Sequence, residues 1–220
     1  MKIVVIGQKW LAATVAADLA SAGHDLHIIA PNAEDRLADA ARSLGLPLSL
    51  HGPGRRLEGT AIPPCDLAVA AHCHVFLPAE ARAAARYGVI GYHPSLLPLH
   101  RGRDAVWWTI HNGDPVTGGT VYRMDDGFDT GPIVAQDWCF VRADDTPASL
   151  WRRDLAPMGR RMLGEVVARL AGGGVLSEAP QPNRGLPRWH PGTGYVGGRL
   201  KRTCGKLQGL SQQHRSRFNR

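Results

Sequence analysis

Two short stretches carry side chains able to move a proton. The first, GYHPSLLP, sets His93 after an apolar run and follows it with Pro94 and Pro98. A residue before proline is pushed to extended backbone, so His93 is expected to end a strand. Pro94 then denies the sheet a donor, and Pro98 stiffens the bend beyond. An imidazole held at the carboxyl edge of a parallel sheet stands where open α/β folds place ligand crevices. The second stretch, DDGFDTGPI, puts Asp125, Asp126 and Asp129 with two glycines between two apolar runs. A surface hairpin accounts for Asp125, Asp126 and Gly127, but the Asp-Thr-Gly-Pro that follows is more elaborate than a return needs. Folded over the sheet edge, this loop would bring Asp129 to His93 and keep the imidazole available as a proton donor near neutral pH. The plainer reading of His93 is a satisfied structural histidine.

Two other motifs invite chemistry and give less. IGQKW opens the chain as a strand and turn, but a dinucleotide fingerprint needs GxGxxG for close approach of the pyrophosphate. Lys9 and Ala12 stand where the second and third glycines belong, so scaffold is the better reading. HCH places His72 and His74 on one face if it is a strand, yet two ligands without a partner cluster make a poor zinc site. No metal is expected.

The elements that must position these residues alternate. KIVVIG, HDLHIIA, CDLAVAAH and VIGYH read as strands. WLAATVAADLASAG, EDRLADAARSLG and PAEARAAARYG read as helices between them. That βαβ rhythm predicts a parallel sheet with helices on both faces. RDAVWWTIHNG reads as a further helix, and GGTVYRM and PIVAQDWCFV as strands flanking the acidic loop. TPASLWRRDLAPMGRRMLGEVVARLAGGG reads as one long helix with a kink at Pro157.

Bulk composition sets the frame. With 220 residues, 44% hydrophobic and 20% charged, the chain has the make-up of a globular protein. No apolar run reaches the roughly 18 residues of a membrane span, so no membrane is expected. The first residues show no leader pattern. Four scattered cysteines without a CxxC pair suit free thiols, and a cytoplasmic location is the expectation. Net charge is +7, yet residues 184–220 hold nine Lys/Arg and no acid, so residues 1–183, with 17 basic and 19 acidic, carry −2. The Gly/Arg-rich tail reads as an arm for nucleic acid or as a solvated, partly disordered end, and composition leans to the second. Trp189, Tyr195 and Phe218 are too sparse for an aromatic RNA-binding stripe.

The run from Gly88 to Gln136, GVIGYHPSLLPLHRGRDAVWWTIHNGDPVTGGTVYRMDDGFDTGPIVAQ, resembles the folate-dependent formyltransferases. That family includes methionyl-tRNA, glycinamide ribonucleotide and amino-sugar formyltransferases and the hydrolase domain of 10-formyltetrahydrofolate dehydrogenase. The likeness covers most of residues 1–182, including FLPAEARAAARYG and PQP, and its two motifs are HPSLLP with RG following and DxGxDTGPI. Ser95 and Arg101 belong to the first of these. The resemblance implies a Rossmann-like, mostly parallel α/β domain over residues 1–182, followed by the basic tail over 183–220. It implies 10-formyltetrahydrofolate as formyl donor, a small-molecule amine as acceptor, and no metal. His93 matches the catalytic histidine and Asp129 the catalytic aspartate. His74, Val75, Phe76 and Leu77 match the stretch whose backbone grips the pterin, and Asp126, Gly127 and Phe128 the loop closing over its other side. One position departs. Transferases of the family usually carry Asn two residues before the histidine, where this chain has Gly91. Loss of an oxyanion donor typically costs about 2.7–4 kcal/mol of transition-state stabilisation. Amine transfer, the activity of most of the family, is expected first, and the missing donor at Gly91 makes a 10-formyltetrahydrofolate hydrolase or a weakly active folate-binding homologue the alternatives.

Overall fold

The computed structural model describes residues 1–182 and the backbone of Trp189 and His190. The basic tail expected over 183–220 otherwise lies outside the described residues. The chain runs β1 (Lys2–Gly7), α1 (Lys9–Ser21), β2 (Asp25–Ala30), α2 (Arg36–Ser43), β3 (Leu48–Leu50), β4 (Leu67–Ala71), α3 (Ala79–Arg82) and β5 (Val89–His93). It continues through β6 (Arg101–Gly102), α4 (Ala105–Asn112), β7 (Val116–Arg123), β8 (Ile133–Phe140), α5 (Pro147–Leu150), a π-helical turn (Trp151–Leu155), α6 (Ala156–Ala171) and β9 (Trp189–His190).

Seven strands form one sheet in the order β3-β2-β1-β4-β5-β7-β8. The first five are parallel, whereas β7 runs antiparallel to β5 and β8 antiparallel to β7. β1, β4 and β5 are almost wholly buried, as expected of strands covered on both faces. One core joins alternate residues of the sheet (Ile3, Val5, Val69, Ile90) to α1, α2 and α6, and the other joins Val4, Ile6, Ala68 and Val89 to Leu57, Leu77 and Ala81. The expected α/β architecture is what forms.

Three expectations need correction. The predicted PAEARAAARYG helix stops at Arg82, because the next residues pair elsewhere: Cys65 N–H donates to Ala84 O, Arg86 N–H to Cys65 O and Tyr87 N–H to Asp66 O. The long C-terminal helix is three pieces, and its irregularity precedes Pro157. The Tyr92 hydroxyl donates to Leu155 O at 2.6 Å, in the turn where Ala156 N–H reaches back to Trp151 O. β3, too short to register as a period, was not expected. It pairs with β2 between Ile28–Ala30 and Leu48–Leu50.

β4 and β5 are the strands that aim at the site. They run out side by side, and β1 turns to β2 on one side while β4 continues on the other, so the sheet changes direction between β1 and β4. Such a switch point opens a crevice at the carboxyl ends.

Candidate active site

His93 is the last residue of β5 and is 6% exposed. Its Nε2 lies 2.8 Å from His100 O. A carbonyl only accepts, so Nε2 carries a proton and Nδ1 is the nitrogen left for transfer. Nδ1 stands 3.4 Å from Asp129 Oδ2, and the two motifs meet as the sequence predicted. The HPSLLP segment holds the imidazole from behind. The Ser95 hydroxyl, fully buried, donates to Leu99 O, and Thr120 bridges Ser95 O (2.7 Å) and Leu97 N–H (3.1 Å). Ser95 thus closes the turn and does not face His93 as a nucleophile.

Asp129 is fixed from several sides. Its backbone is left-handed at φ 55. Its Oδ2 accepts Gly102 N–H at 2.7 Å and its Oδ1 accepts the Tyr122 hydroxyl at 2.6 Å. Its carbonyl accepts Gln181 Nε2 at 2.8 Å, and the same nitrogen reaches Gly131 O at 2.8 Å. Arg101 donates through Nε to Gln181 Oε1 at 2.9 Å, so its place is to brace the strap at residues 175–182. Gly131 is required where it stands, since a Cβ there would lie 1.8 Å from Arg123 O. Within the loop, Asp125 accepts Gly127 N–H and the Thr130 hydroxyl. That bond set answers why the acidic turn is more elaborate than a hairpin.

The two stretches expected to flank a ring come together. Phe76 and Phe128 have ring centroids 5.8 Å apart, with Phe128 61% exposed. Arg82 ties the stretches: Nε donates to Leu77 O at 3.1 Å, Nη1 to Met124 O at 3.2 Å, and Nη2 pairs with Asp126. One part of the expectation changes. Phe76 N–H donates to Arg55 O and its carbonyl accepts Leu57 N–H, both at 2.8 Å, so its donor is already used. Val75 and Leu77 turn their side chains into the core. Contact to a ring from this stretch falls to the Phe76 and His74 side chains and to the other backbone groups.

Sequence reasoning missed Tyr122, Gln181, Arg82 and the His100 carbonyl. Gln181 and Arg82 meet partners 52 and 44 residues away, and His93 is met by a backbone carbonyl of His100. Tyr122 reaches Asp129, seven residues on, only because the loop folds back. None of this is spelled out by a motif. The motifs set aside behave as scaffold. Lys9 N–H, at the start of α1, donates to Asp35 Oδ1 at 2.9 Å, so a carboxylate of the chain itself occupies the place of a phosphate. β4 ends at Ala71 and His72 turns to φ 52, which breaks the strand alternation expected of HCH. Burial lowers the His72 pKa to about 4. Among the described residues no group of three or more His, Cys, Asp or Glu is placed to hold a metal.

Comparison with known proteins agrees with the motifs. Residues 60–167 match the family described as formyl transferase. The chain is 37% identical over 199 residues to the cytosolic 10-formyltetrahydrofolate dehydrogenase of Mus musculus, covering 84% of this chain and 22% of that protein. It is 38% identical over 126 residues to a GDP-perosamine N-formyltransferase of Brucella melitensis, covering 56% of this chain and 48% of that protein. The chain thus spans about a fifth to a half of these relatives. Among solved structures, glycinamide ribonucleotide transformylase 1 from Symbiobacterium toebii superposes with a TM-score of 0.69 at 24% identity, over 79% of this chain and 88% of that one. The Helicobacter canadensis N-formyltransferase, in complex with folinic acid and dTDP-3-aminofucose, gives 0.73 at 16% identity over 87% and 71%. These two likenesses concern the fold.

Proposed function

Because the chain belongs to the folate-dependent formyltransferase family, we propose that it moves the formyl group of 10-formyltetrahydrofolate to a small-molecule amine, with His93 and Asp129 as the catalytic pair. The observation that carries this reading is the 3.4 Å approach of His93 Nδ1 to Asp129 Oδ2 at the end of β5, with Phe128, next to Asp129 in the chain, forming a tilted ring pair with Phe76.

The acceptor nitrogen attacks the formyl carbon and the carbonyl oxygen takes up the negative charge. A protonated His93, held by the His100 carbonyl and facing the Asp129 carboxylate, stabilises that charge and gives a proton to the departing folate nitrogen. The C–N bond to folate breaks, the acceptor keeps the formyl group, and the proton lost by the acceptor amine restores His93. Asp129 supplies the negative partner that holds the imidazole correctly turned. Phe76, Phe128 and His74 are the side chains assigned to the pterin, with Asp126 and Gly127 shaping the loop above it.

Hydrolysis is the second reading, with water in place of the amine. It is favoured by the 199-residue match to 10-formyltetrahydrofolate dehydrogenases, proteins whose hydrolase domain the sequence motifs resemble, and by Gly91, which offers no amide to the oxyanion. Free thiols at Cys65, Cys73 and Cys139 suit a cytoplasmic setting, and among the described residues no helix is long and apolar enough to cross a membrane. Incubating the full chain with 10-formyltetrahydrofolate, with and without a panel of amines, and following free tetrahydrofolate and formate tests both readings. Amine-dependent release supports transfer, amine-independent release supports hydrolysis, and no release refutes both.

A further inference from the structure

Tyr122 lies on β7 directly across from Gly91 on β5, and Gly91 shares its face with His93 two residues on. The pair is matched in shape. A Cβ at Gly91 would stand 3.2 Å from Tyr122 Cε1 and 3.4 Å from Met124 Cγ, so the tyrosine ring already fills the space that a side chain at 91 would take. The register of β7 against β8 shifts between Val121 and Tyr122, and such irregularities re-aim the side chain beside them. What the ring reaches is the carboxylate. Its hydroxyl donates to Asp129 Oδ1 at 2.6 Å, a charge-assisted bond of the strong kind. The two oxygens of Asp129 therefore divide their work: Oδ1 is held by Tyr122, and Oδ2 meets Gly102 N–H at 2.7 Å and His93 Nδ1 at 3.4 Å.

We propose that Tyr122 is the positioning residue of the His93–Asp129 pair, and that Gly91 is the clearance that lets its ring lie where the hydroxyl can hold the carboxylate. The inference rests on the reaction assigned above. A phenol has a single O–H, and while it donates to Asp129 it is not available to a developing oxyanion, so it acts through the carboxylate. Burial, with the Asp129 charge beside it, pushes the Tyr122 pKa well above its ordinary value, which leaves the hydroxyl a donor over the whole working range. The glycine in the opening motif then has a positive reason: it belongs to a Gly–Tyr pair in which the bulk has moved to the opposite strand.

The test is a double-mutant cycle on the full chain, with Tyr122→Phe, Asp129→Asn and both together, read as single-turnover formyl release and as KM for 10-formyltetrahydrofolate. Removing one hydrogen bond to a charged group corresponds to roughly a ten- to hundredfold change. Tyr122→Phe is expected to lower the rate by that factor while KM stays within about twofold. In the Asp129→Asn background the same substitution should change the rate by less than about twofold, which a merely structural tyrosine would not do. Should Tyr122→Phe fail to fold, Gly91→Ala crowds the ring without removing it and should show the same rate-only loss, smaller in size. An active wild type with an unaffected Tyr122→Phe, multiplicative losses in the double variant, or a loss confined to KM overturns the inference alone. A wild type that releases no formyl group overturns the reaction and the inference with it.

Discussion

Gln181 offers the sharpest test of how the catalytic loop is held, because one atom can be changed while its shape is kept. The amide stands between two carbonyls on one side and a guanidinium on the other. Nε2 donates to Asp129 O and Gly131 O at 2.8 Å each, and Oε1 accepts Arg101 Nε at 2.9 Å. Gln181→Glu keeps the size and the Arg101 contact but turns an acceptor toward both carbonyls. A shielded acceptor left without its partner costs about 1–3 kcal/mol, so two cost about 2–6 kcal/mol. A stronger pairing with Arg101, partly exposed, returns no more than about 1 kcal/mol. The net lands on a residue already held at φ 55, a conformation that itself costs a non-glycine residue about 1–2 kcal/mol. The loop should then relax and carry the Asp129 carboxylate away from His93. Formyl release should fall roughly tenfold or more. Amide exchange across residues 125–131 should quicken, and the urea midpoint should shift little, since Gln181 itself belongs to neither core. Wild-type turnover together with unchanged exchange in Gln181→Glu would refute the reasoning.

Other outcomes follow from the same geometry. Gly91→Asn is expected to give no gain in rate, because its Cβ alone would stand 3.2 Å from the Tyr122 ring; overpacking of this kind costs about 1–3 kcal/mol, and urea unfolding should show that loss. A faster, equally stable variant would mean that the ring yields and the amide serves. Arg82→Met should raise KM for the folate several-fold with the rate at saturation kept, since Arg82 joins Leu77 O, Met124 O and Asp126 across the two stretches. Equal KM values would remove it from the site. Asp145 is held at a pKa of about 2, below its ordinary 3.8, first by the hydrogen bond from Arg153. A depressed carboxylate stabilises the fold above its unfolded value and loses that contribution as pH falls from about 4 through 2. Asp145→Asn should therefore lower the urea midpoint at neutral pH and converge on wild type near pH 2; parallel curves would count against the pair.

The parts of this fold legible in the sequence are those decided by local rules. β1, β4 and β5 are short apolar runs whose burial leaves no alternation to misread, and the prolines after His93 fix where β5 ends. The meeting of His93 and Asp129 was legible because each motif was odd by itself: one histidine too constrained, one turn too elaborate. What stayed hidden depends on partners distant in the chain or on how a loop folds back on its strand. α3 is cut short because residues 84–87 pair with Cys65 and Asp66. The break in the last helix sits where the Tyr92 hydroxyl meets Leu155 O, 63 residues away. Tyr122 looked like an ordinary strand aromatic, and Gln181 like one polar residue between two prolines. Nothing local says that one holds Oδ1 of Asp129 and the other its carbonyl. The glycine at 91 read as a missing donor until Tyr122 appeared in its place.

The most direct measurement is a stopped-flow record of tetrahydrofolate release from 10-formyltetrahydrofolate by wild type, His93→Ala and Asp129→Ala, with folate binding followed in parallel. The account predicts binding by all three and release by the wild type alone, with losses on the order of 10² or more in each variant. Release at the wild-type rate by both variants would contradict it.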